Sequence, residues 1–332
     1  MILVTGSTGL VGRHLILALI QNKQEVRALY RSEDRKNEVE RFYAFAKAES
    51  LIQFIDWKQG DINNIPRLEE VFSGVTHVYH CAAAISFDPY QFKNLTKVNI
   101  EGTANVVNLC LNYKVKKLIH LSSIATLAKT PNNPIDESNH WDPNARVSVY
   151  ALTKYGAEME VWRGTEEGLD AIIFNPGIIL GEGDYNSGSG VLFKRVWDEK
   201  KYYIKGATAT IDVKDLVNLM ISGMQSSIKQ ERFIAISNNI SYKKLLIAIA
   251  KSLDKKPPRI PLNKWILKIT VFLDFVVGLF IRSRKITRVG IISLQHTTKY
   301  SNTKIKKEFS ITLTPIDQTL VRIAKHFKRN HA

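Results

Sequence analysis

The residues best suited to proton transfer are a tyrosine and a lysine four positions apart, Tyr150 and Lys154. On a helix this spacing places both side chains on one face. A free phenol has a pKa of about 10, so it needs a neighbouring ammonium to act as an acid or base at neutral pH. Ser123 follows a predicted strand and could bond a substrate oxygen. The three residues indicate proton transfer at an oxygen, although Tyr-x-x-x-Lys alone more often lies on a solvated helix face.

A glycine-rich loop lies close to the start of the sequence. The apolar run Ile2–Thr5 is followed by Gly6-Ser7-Thr8-Gly9-Leu10-Val11-Gly12 and then by an amphipathic stretch. Between a strand and a helix, such glycines allow a tight turn, and the helix N-terminus offers amides to a pyrophosphate. This context favours a dinucleotide site over an ordinary turn. The residues expected to contact the dinucleotide are Gly6, Thr8, Gly9, Leu10, Val11 and Gly12.

The end of the second predicted strand bears on which dinucleotide binds. An NAD site places a carboxylate there, which bonds the ribose hydroxyls and repels a 2′-phosphate. This chain has Arg31 instead, and a guanidinium pairs well with a phosphate. The sequence therefore predicts NADP, with NAD as the alternative because Glu33 or Asp34 could reach the ribose.

A parallel sheet is the element that would bring these residues together. Short β-branched runs alternate with helical patterns in the first half of the chain, which is typical of a sheet covered on both faces. The candidate strands are Ile2–Thr5, Glu25–Tyr30, Ile52–Trp57, His77–Cys81, Lys117–Ser122 and Ala171–Asn175. The candidate helices are Leu10–Gln21, Lys97–Tyr113 and Val149–Thr165. The predicted fold class is α/β, a doubly wound Rossmann sheet with a smaller, mostly helical C-terminal lobe.

The predicted domains are a dinucleotide-binding domain at residues 1–175 and a substrate-binding lobe at 176–332. Glycines after Asn175 indicate loops, and helical patterns follow from Tyr242 onward. The stretches Gly206–Val217 and Arg232–Ser237 are strand-like. We therefore expect residues 207–238 to complete the sheet, which makes the lobe discontinuous in sequence.

Composition and charge limit the functional classes. The 332 residues are 45% apolar and carry a formal charge of +16, which excludes a disordered chain. Residues 251–332 carry +14 of that charge. No helix-turn-helix, zinc-binding or aromatic RNA-binding pattern accompanies it, so neither a nucleic-acid partner nor a metal is predicted. Two cysteines within apolar runs, and no recognisable targeting segment, predict a cytoplasmic protein.

The most apolar stretch, Pro261–Thr287, predicts a helix that is apolar over most of its circumference and must bury itself against something. It is too short and too interrupted to span a membrane. Its burial could form the core of the small lobe or the wall of a pocket for a lipophilic substrate. Basic residues flank it at Lys255, Lys256 and Arg259 and at Arg282, Arg284, Lys285 and Arg288. Peripheral membrane contact through residues 255–288 is therefore a further possibility.

The sequence resembles the extended short-chain dehydrogenase/reductases of the NAD-dependent epimerase/dehydratase superfamily, over nearly its whole length. The matching motifs are Thr5-Gly-x-x-Gly-x-x-Gly12, Asp61, Cys81-Ala82-Ala83, Asn99, Ser122-Ser123, Tyr150-x-x-x-Lys154, Asn175-Pro176-Gly177, Asp212-Val213-x-Asp215 and Tyr300-Ser301-Asn302-x-Lys304.

The resemblance implies a role for each matching residue. Tyr150 would be the general acid/base, Lys154 would lower its pKa and bind the nicotinamide ribose, and Ser123 would orient the substrate oxygen. Asn99 would support a proton relay. The further residues implied to contact the cofactor are Asp61 and Ile62 at the adenine, Cys81, Ala82 and Ala83 at the central ribose, and Pro176, Gly177, Ile178 and Ile179 beside the nicotinamide.

Departures from the family's subgroups narrow the reaction. Dehydratases carry an acidic pair after the catalytic hydroxyl, where this chain has Ile124-Ala125. Sugar-nucleotide epimerases usually carry an arginine where this chain has Thr208-Ala209-Thr210, which weakens that alternative. The remaining branch resembles the dihydroflavonol reductases and 3β-hydroxysteroid dehydrogenases.

We therefore predict a hydride transfer between NADP(H) and a carbonyl or secondary alcohol of an apolar metabolite. A non-catalytic NADP-binding or membrane-associated scaffold is a second alternative. The resemblance also implies a homodimer that pairs the helices near Lys97–Tyr113 and Val149–Thr165.

Overall fold

The computed structural model describes residues 1–128, 134–284 and 287–331. The strands are β1 Ile2–Thr5, β2 Val26–Tyr30, β3 Ile55–Gln59, β4 His77–His80, β5 Lys117–Leu121, β6 Ala171–Pro176, β7 Ile178–Leu180, β8 Tyr202–Tyr203, β9 Ala207–Asp212, β10 Glu231–Ala235, β11 Asn238–Ser241 and β12 Ile260–Pro261. The helices are α1 Leu10–Gln21, α2 Glu33–Phe45, α3 Ile65–Phe72, α4 Phe92–Leu95, α5 Gly102–Asn112, α6 Val149–Glu166, α7 Gly190–Trp197, α8 Val213–Gln225, α9 Tyr242–Leu253, α10 Lys264–Ile281, α11 Arg288–Gln295, α12 Thr303–Phe309 and α13 Ile316–His331.

Seven parallel strands form the main sheet, in the order β10-β6-β5-β4-β1-β2-β3. Strands such as β1 and β6 are buried along their whole length and mostly apolar, because helices cover the sheet on both faces. The strand order reverses between β1 and β4, which opens a crevice at the carboxyl ends of these strands. The predicted α/β fold class with a doubly wound sheet is confirmed.

The region expected to return to the sheet divides into two parts. β10 joins the main sheet beside β6. β9, by contrast, lies in a separate three-stranded sheet of order β11-β9-β7. Only the second of the two predicted stretches therefore extends the main sheet, because β9 takes β7 and β11 as its hydrogen-bonding neighbours.

The C-terminal region is held by its own apolar core, built mainly from α7, α9 and α13. Phe193, Leu245, Ile249 and Phe327 are buried there. Within the residues that the structure describes, no helix is long and apolar enough to cross a membrane.

Helix α10 differs from the sequence-based expectation. Of its described apolar side chains, Leu267 is buried, but Trp265 is 69% exposed and Phe272 is 64% exposed. The sequence predicts that this helix buries itself against something; among its described side chains, a narrow face that includes Leu267 packs onto the protein and most of the remaining apolar circumference is exposed. Lys285, one of the predicted basic flanks, lies outside the described residues.

Candidate active site

Ser123, Tyr150 and Lys154 come together at the carboxyl end of β5. Ser123 lies two residues beyond this strand, and Tyr150 lies in the first turn of α6. Ser148 caps that helix, because its hydroxyl accepts the amide of Ala151 at 3.2 Å. The Ser123 hydroxyl lies near enough to the Tyr150 phenol to lower its pKa. One turn further on, Lys154 Nζ donates to the Leu121 carbonyl at 2.8 Å.

Burial controls the acidity of this group. The Lys154 side chain is 2% exposed, and loss of solvation lowers its pKa to about 8, while the nearby Glu158 carboxylate opposes that change. Burial raises the pKa of the Tyr150 phenol, and the nearby Ser123 hydroxyl opposes that change. In this geometry the pKa of Tyr150 is therefore set by its burial and by Ser123, whereas the Lys154 ammonium points to a backbone carbonyl.

Asn99 lies in a π-helical turn, Thr96–Glu101, between α4 and α5. Such turns are rare and frequently occur at functional sites. The buried Asn99 side chain accepts the amide of Ala84 at 2.8 Å and donates to the Thr153 hydroxyl at 3.1 Å. The bonds shown by the structure make Asn99 a brace between the chain after β4 and the residue that precedes Lys154. A part in proton relay stays a prediction.

A buried carboxylate, Glu158, lies one turn beyond Lys154 and was not identified from the sequence. Its Oε1 accepts hydrogen bonds from Ser122, Thr126 and Asn175 at 2.5 to 2.7 Å. Arg232 lies 3.4 Å from its other oxygen. The signal that could have revealed it is the spacing of Tyr150, Lys154 and Glu158, which repeats every four residues along one helix face.

The same network holds Ser123. The buried Asn175 amide donates to the Ser123 carbonyl at 3.1 Å as well as to Glu158. Ser122 is turned the other way, because its hydroxyl donates to Glu158. Of the two adjacent serines, Ser123 is thus the one whose side chain faces Tyr150.

The glycine loop fits closely around the ends of β1 and β4. Gly6 has a φ of +64°, and a Cβ there would lie 2.6 Å from the backbone of Cys81 and Ala82. A Cβ on Gly12 would lie 2.2 Å from the Gly6 carbonyl oxygen. Gly9 precedes α1 and offers no side-chain cap, so the first amides of this helix, from Leu10 onward, are free to bind an anion.

Two side chains fix the shape of this loop, and neither was identified from the sequence. The Ser7 hydroxyl donates to the Leu29 carbonyl at 2.6 Å, which ties the loop to β2. The Arg13 guanidinium donates to the Thr8 carbonyl at 2.8 Å. The residue types of Ser7 and Arg13 did not predict these roles, because each side chain bonds a backbone carbonyl that only the fold brings near.

Arg31 follows directly after β2, at the sheet edge where the adenosine of a dinucleotide would lie. Its side chain is 72% exposed, and a guanidinium nitrogen lies 3.6 Å from Asp61. Glu33, the carboxylate that could have reached the ribose, accepts a hydrogen bond from Tyr30 at 2.5 Å. Ile62 is buried beside Asp61. Arg31 is therefore a largely exposed cation at this position.

The remaining predicted contacts lie at the same carboxyl edge of the sheet. Cys81, Ala82 and Ala83 follow β4, and burial raises the pKa of the Cys81 thiol to about 12. Pro176 ends β6, and Gly177 leads into β7, which contains Ile178 and Ile179. Apart from Lys154 on α6, the predicted cofactor contacts thus lie at or just beyond the carboxyl ends of β1, β2, β3, β4 or β6, around the crevice where the strand order reverses.

These residues fit a dinucleotide. The first amides of α1 are free to bind an anion, and the glycine loop has no room for a Cβ. Both features suit a pyrophosphate that lies directly against the backbone. Lys154 and the Pro176–Ile179 stretch lie at the other end of the crevice and would hold the nicotinamide ribose and ring.

Known proteins share both the sequence pattern and the fold. The family model described as NAD dependent epimerase/dehydratase family matches residues 2–234. A dihydroflavonol 4-reductase-like protein of Synechocystis sp. is 25% identical over 99% of this chain and 94% of its own length. Cinnamoyl-CoA reductase 1 of Petunia hybrida is 27% identical over 64% of this chain and 65% of its own.

A solved structure, UDP-glucose 4-epimerase from Thermotoga maritima, superposes with a TM-score of 0.79 at 18% identity. It covers 100% of this chain and 99% of its own. At that identity the likeness shows the fold alone. The family model covers well over half of the chain, and the dinucleotide crevice agrees with the NAD dependence that the family's description states. The chain therefore belongs to the NAD dependent epimerase/dehydratase family, within the extended short-chain dehydrogenase/reductases, and is an NAD(P)-dependent enzyme.

Proposed function

We propose that the chain is an NADP(H)-dependent oxidoreductase that interconverts a carbonyl and a secondary alcohol of an apolar metabolite. The observation that carries this proposal is the position of Tyr150 beside the Ser123 hydroxyl, one helix turn from the buried Lys154. The relatives similar in sequence over most of this chain include proteins named as reductases.

The proton-transfer role follows from the acidity of Tyr150. When bound, the nicotinamide supplies or accepts the hydride at the reacting carbon. The Ser123 hydroxyl bonds the substrate oxygen, and Tyr150 donates the proton that this oxygen gains. Because burial raises the pKa of Tyr150, the phenol is protonated at neutral pH and is ready to act as an acid. This favours reduction of a carbonyl.

The surroundings of Tyr150 support an apolar substrate. The centre of the Phe87 ring lies 5.5 Å from that of the Tyr150 ring, and Phe87 and its neighbour Ile85 are both exposed. Thr208, Ala209 and Thr210 are buried within β9, so this stretch presents no arginine to a nucleotide-sugar phosphate. A further relative, sterol demethylase protein B of Methylococcus capsulatus, is 26% identical over 74% of this chain and 72% of its own, and its name refers to an apolar ring system.

The test of the chemistry is Tyr150→Phe, assayed on a substrate found by screening ketones and aldehydes with NADPH. We expect turnover to fall at least about a hundredfold, because the proton donor is gone, while NADPH fluorescence still reports binding. Tyr155→Phe, on the same helix, is the matched control and should keep its activity. Retained turnover in Tyr150→Phe would refute the role of this residue.

The test of cofactor choice is Arg31→Ser. We expect the affinity for NADPH to fall about tenfold or more and that for NADH to change little, because only NADPH carries the phosphate that the guanidinium bonds. Arg41→Ser, at an exposed position of α2, is the control. Equal losses for both cofactors, or tighter binding of NADH by the unmodified protein, would refute the proposed preference.

A further inference from the structure

Helix α10 presents its apolar side outward. Leu267 and Gly278 are buried on its inner face, and the half-buried Asp274 pairs with Arg284 at 3.2 Å. The opposite face carries exposed large apolar side chains along the whole length of the helix. They are Trp265, Ile266, Ile269, Phe272, Leu273, Phe275, Val277 and Ile281. Contiguous exposed apolar surface of this kind marks an interaction site.

A neighbouring segment extends this surface toward the active site. The Ser283 hydroxyl, just beyond α10, donates to Asp88 at 3.0 Å. The loop around Asp88 exposes Ile85, Phe87 and Tyr90. Because Phe87 also contacts the Tyr150 ring, the Ser283 bond brings the C-terminal end of α10 next to exposed apolar residues beside the catalytic tyrosine, and we consider the outer face of α10 and residues 85–92 together. We call this the α10 surface.

The charges around the α10 surface are almost all positive. Residues 255–284 contain seven Lys and Arg and a single acid, Asp274, which is already paired. Lys256, Arg259, Lys268 and Arg282 are exposed. Lys268 Nζ lies 5.0 Å from the centre of the Trp265 ring, so cation and aromatic ring lie side by side at the start of the helix.

The apolar face and its basic borders together indicate which kind of partner covers the α10 surface. A helix with one broad apolar face, an aromatic residue and basic borders is suited to the interface of a lipid bilayer, where the apolar side chains enter the acyl region and the cations meet anionic headgroups. A second copy of the chain would instead bring the same cations together across a two-fold axis. We propose that the α10 surface docks the protein on an anionic membrane.

This placement has a consequence for the reaction, which rests on the proposed function. The surface that meets the lipid includes Phe87, and Phe87 contacts Tyr150. An apolar substrate dissolved in the bilayer would then enter beside the proton donor without crossing water.

Vesicle flotation of the full chain tests the docking without any assay of activity. We expect binding to phosphatidylcholine vesicles that contain phosphatidylglycerol, weaker binding at high salt because screening reduces the headgroup attraction, and little binding to phosphatidylcholine alone. Trp265 is the one exposed residue among the five tryptophans, all of which lie in the described regions. Its emission should shift to shorter wavelength with anionic vesicles, and Trp265→Phe should lose that shift.

Two pairs of variants separate the contributions. Ile269→Ser combined with Phe272→Ser should weaken binding more than about tenfold, because two apolar side chains no longer leave water. Phe54→Ser combined with Val321→Ser is the control, since these side chains are each 62% exposed elsewhere. Lys268→Gln and Arg282→Gln should each weaken binding about fivefold, and Lys325→Gln should not.

Three outcomes would overturn the proposal. They are no binding to anionic vesicles at low salt, equal binding by the Ile269 and Phe272 variant, and a self-associated state in sedimentation that buries Trp265 and excludes vesicles. The last would assign the surface to a second copy. Failure of the Tyr150→Phe test alone would refute the reaction and leave the docking standing.

Discussion

Helices α6 and α10 are both 18 residues long and place their polar and apolar side chains in opposite ways. In α6, Thr153, Lys154 and Glu158 are buried under the active site. In α10, Trp265 and Phe272 are among eight large apolar residues in solvent. A surface helix usually turns its apolar side inward and its polar side toward solvent. Each of these two helices departs from that arrangement.

The two departures have different physical causes. A buried charge is costly unless hydrogen bonds and an opposite charge compensate it, and Glu158 has three hydrogen-bond donors and Arg232 beside it. An exposed apolar face costs free energy in water until something covers it. The buried charge of α6 is thus compensated by residues of the chain itself and supports the active site. The exposed apolar face of α10 is compensated only when a partner covers it.

The largest effect is expected from removing the buried carboxylate of α6. Glu158→Ala removes the acceptor that Ser122, Thr126 and Asn175 share and the anion beside Arg232, so we expect a loss of roughly 3 to 5 kcal/mol in the free energy of unfolding, measured by urea denaturation. Glu160→Ala on the same helix removes a partly exposed ion pair with Arg163 and should cost less than about 1 kcal/mol. Equal losses would show that the network around Glu158 is not specially stabilising.

A second effect concerns the pH dependence that Lys154 brings to α6. Burial lowers the pKa of Lys154 from 10.5 to about 8 in the folded protein, so between these values the unfolded chain holds a proton that the folded chain has released. Stability relative to Lys154→Met should therefore rise with pH, by about 3 kcal/mol between pH 8 and 10.5. Urea denaturation of both proteins across this range measures it. A difference independent of pH would contradict the lowered pKa.

The smallest effect distinguishes the two faces of α10. Leu267→Ala removes a buried side chain and should cost about 2 to 3 kcal/mol, whereas Ile269→Ala, at a position 57% exposed, should change the stability by less than about 0.5 kcal/mol. Thermal denaturation without lipid compares them. A large loss from Ile269→Ala would mean that the outer face is packed in the free protein, which would remove the contrast with α6.

Features that depend on neighbours in sequence were predictable. The glycine loop was recognisable because a strand, three glycines and a helix follow one another directly. Tyr150 and Lys154 could be paired because four residues span one turn of any helix. The alternation of strands and helices likewise predicted a doubly wound sheet, because parallel strands need crossover helices.

Features that depend on distant contacts were not predictable. Glu158 was missed because its partners Ser122 and Asn175 lie 36 and 17 residues away. The bond from Arg13 to the Thr8 carbonyl was also missed, because every residue has a backbone carbonyl and its residue type does not reveal such a bond. β9 was expected near the main sheet because its apolar character does not specify which strands it will pair with.

The sequence by itself determined the spacing of Tyr150 and Lys154, the phosphate loop and the excess of positive charge at the C-terminal end, because these are properties of order and composition. Only the tertiary structure decided which of Ser122 and Ser123 faces Tyr150, and which side of α10 faces water. Helical periodicity shows that a helix has two faces, but the elements packed against it determine which face is inside.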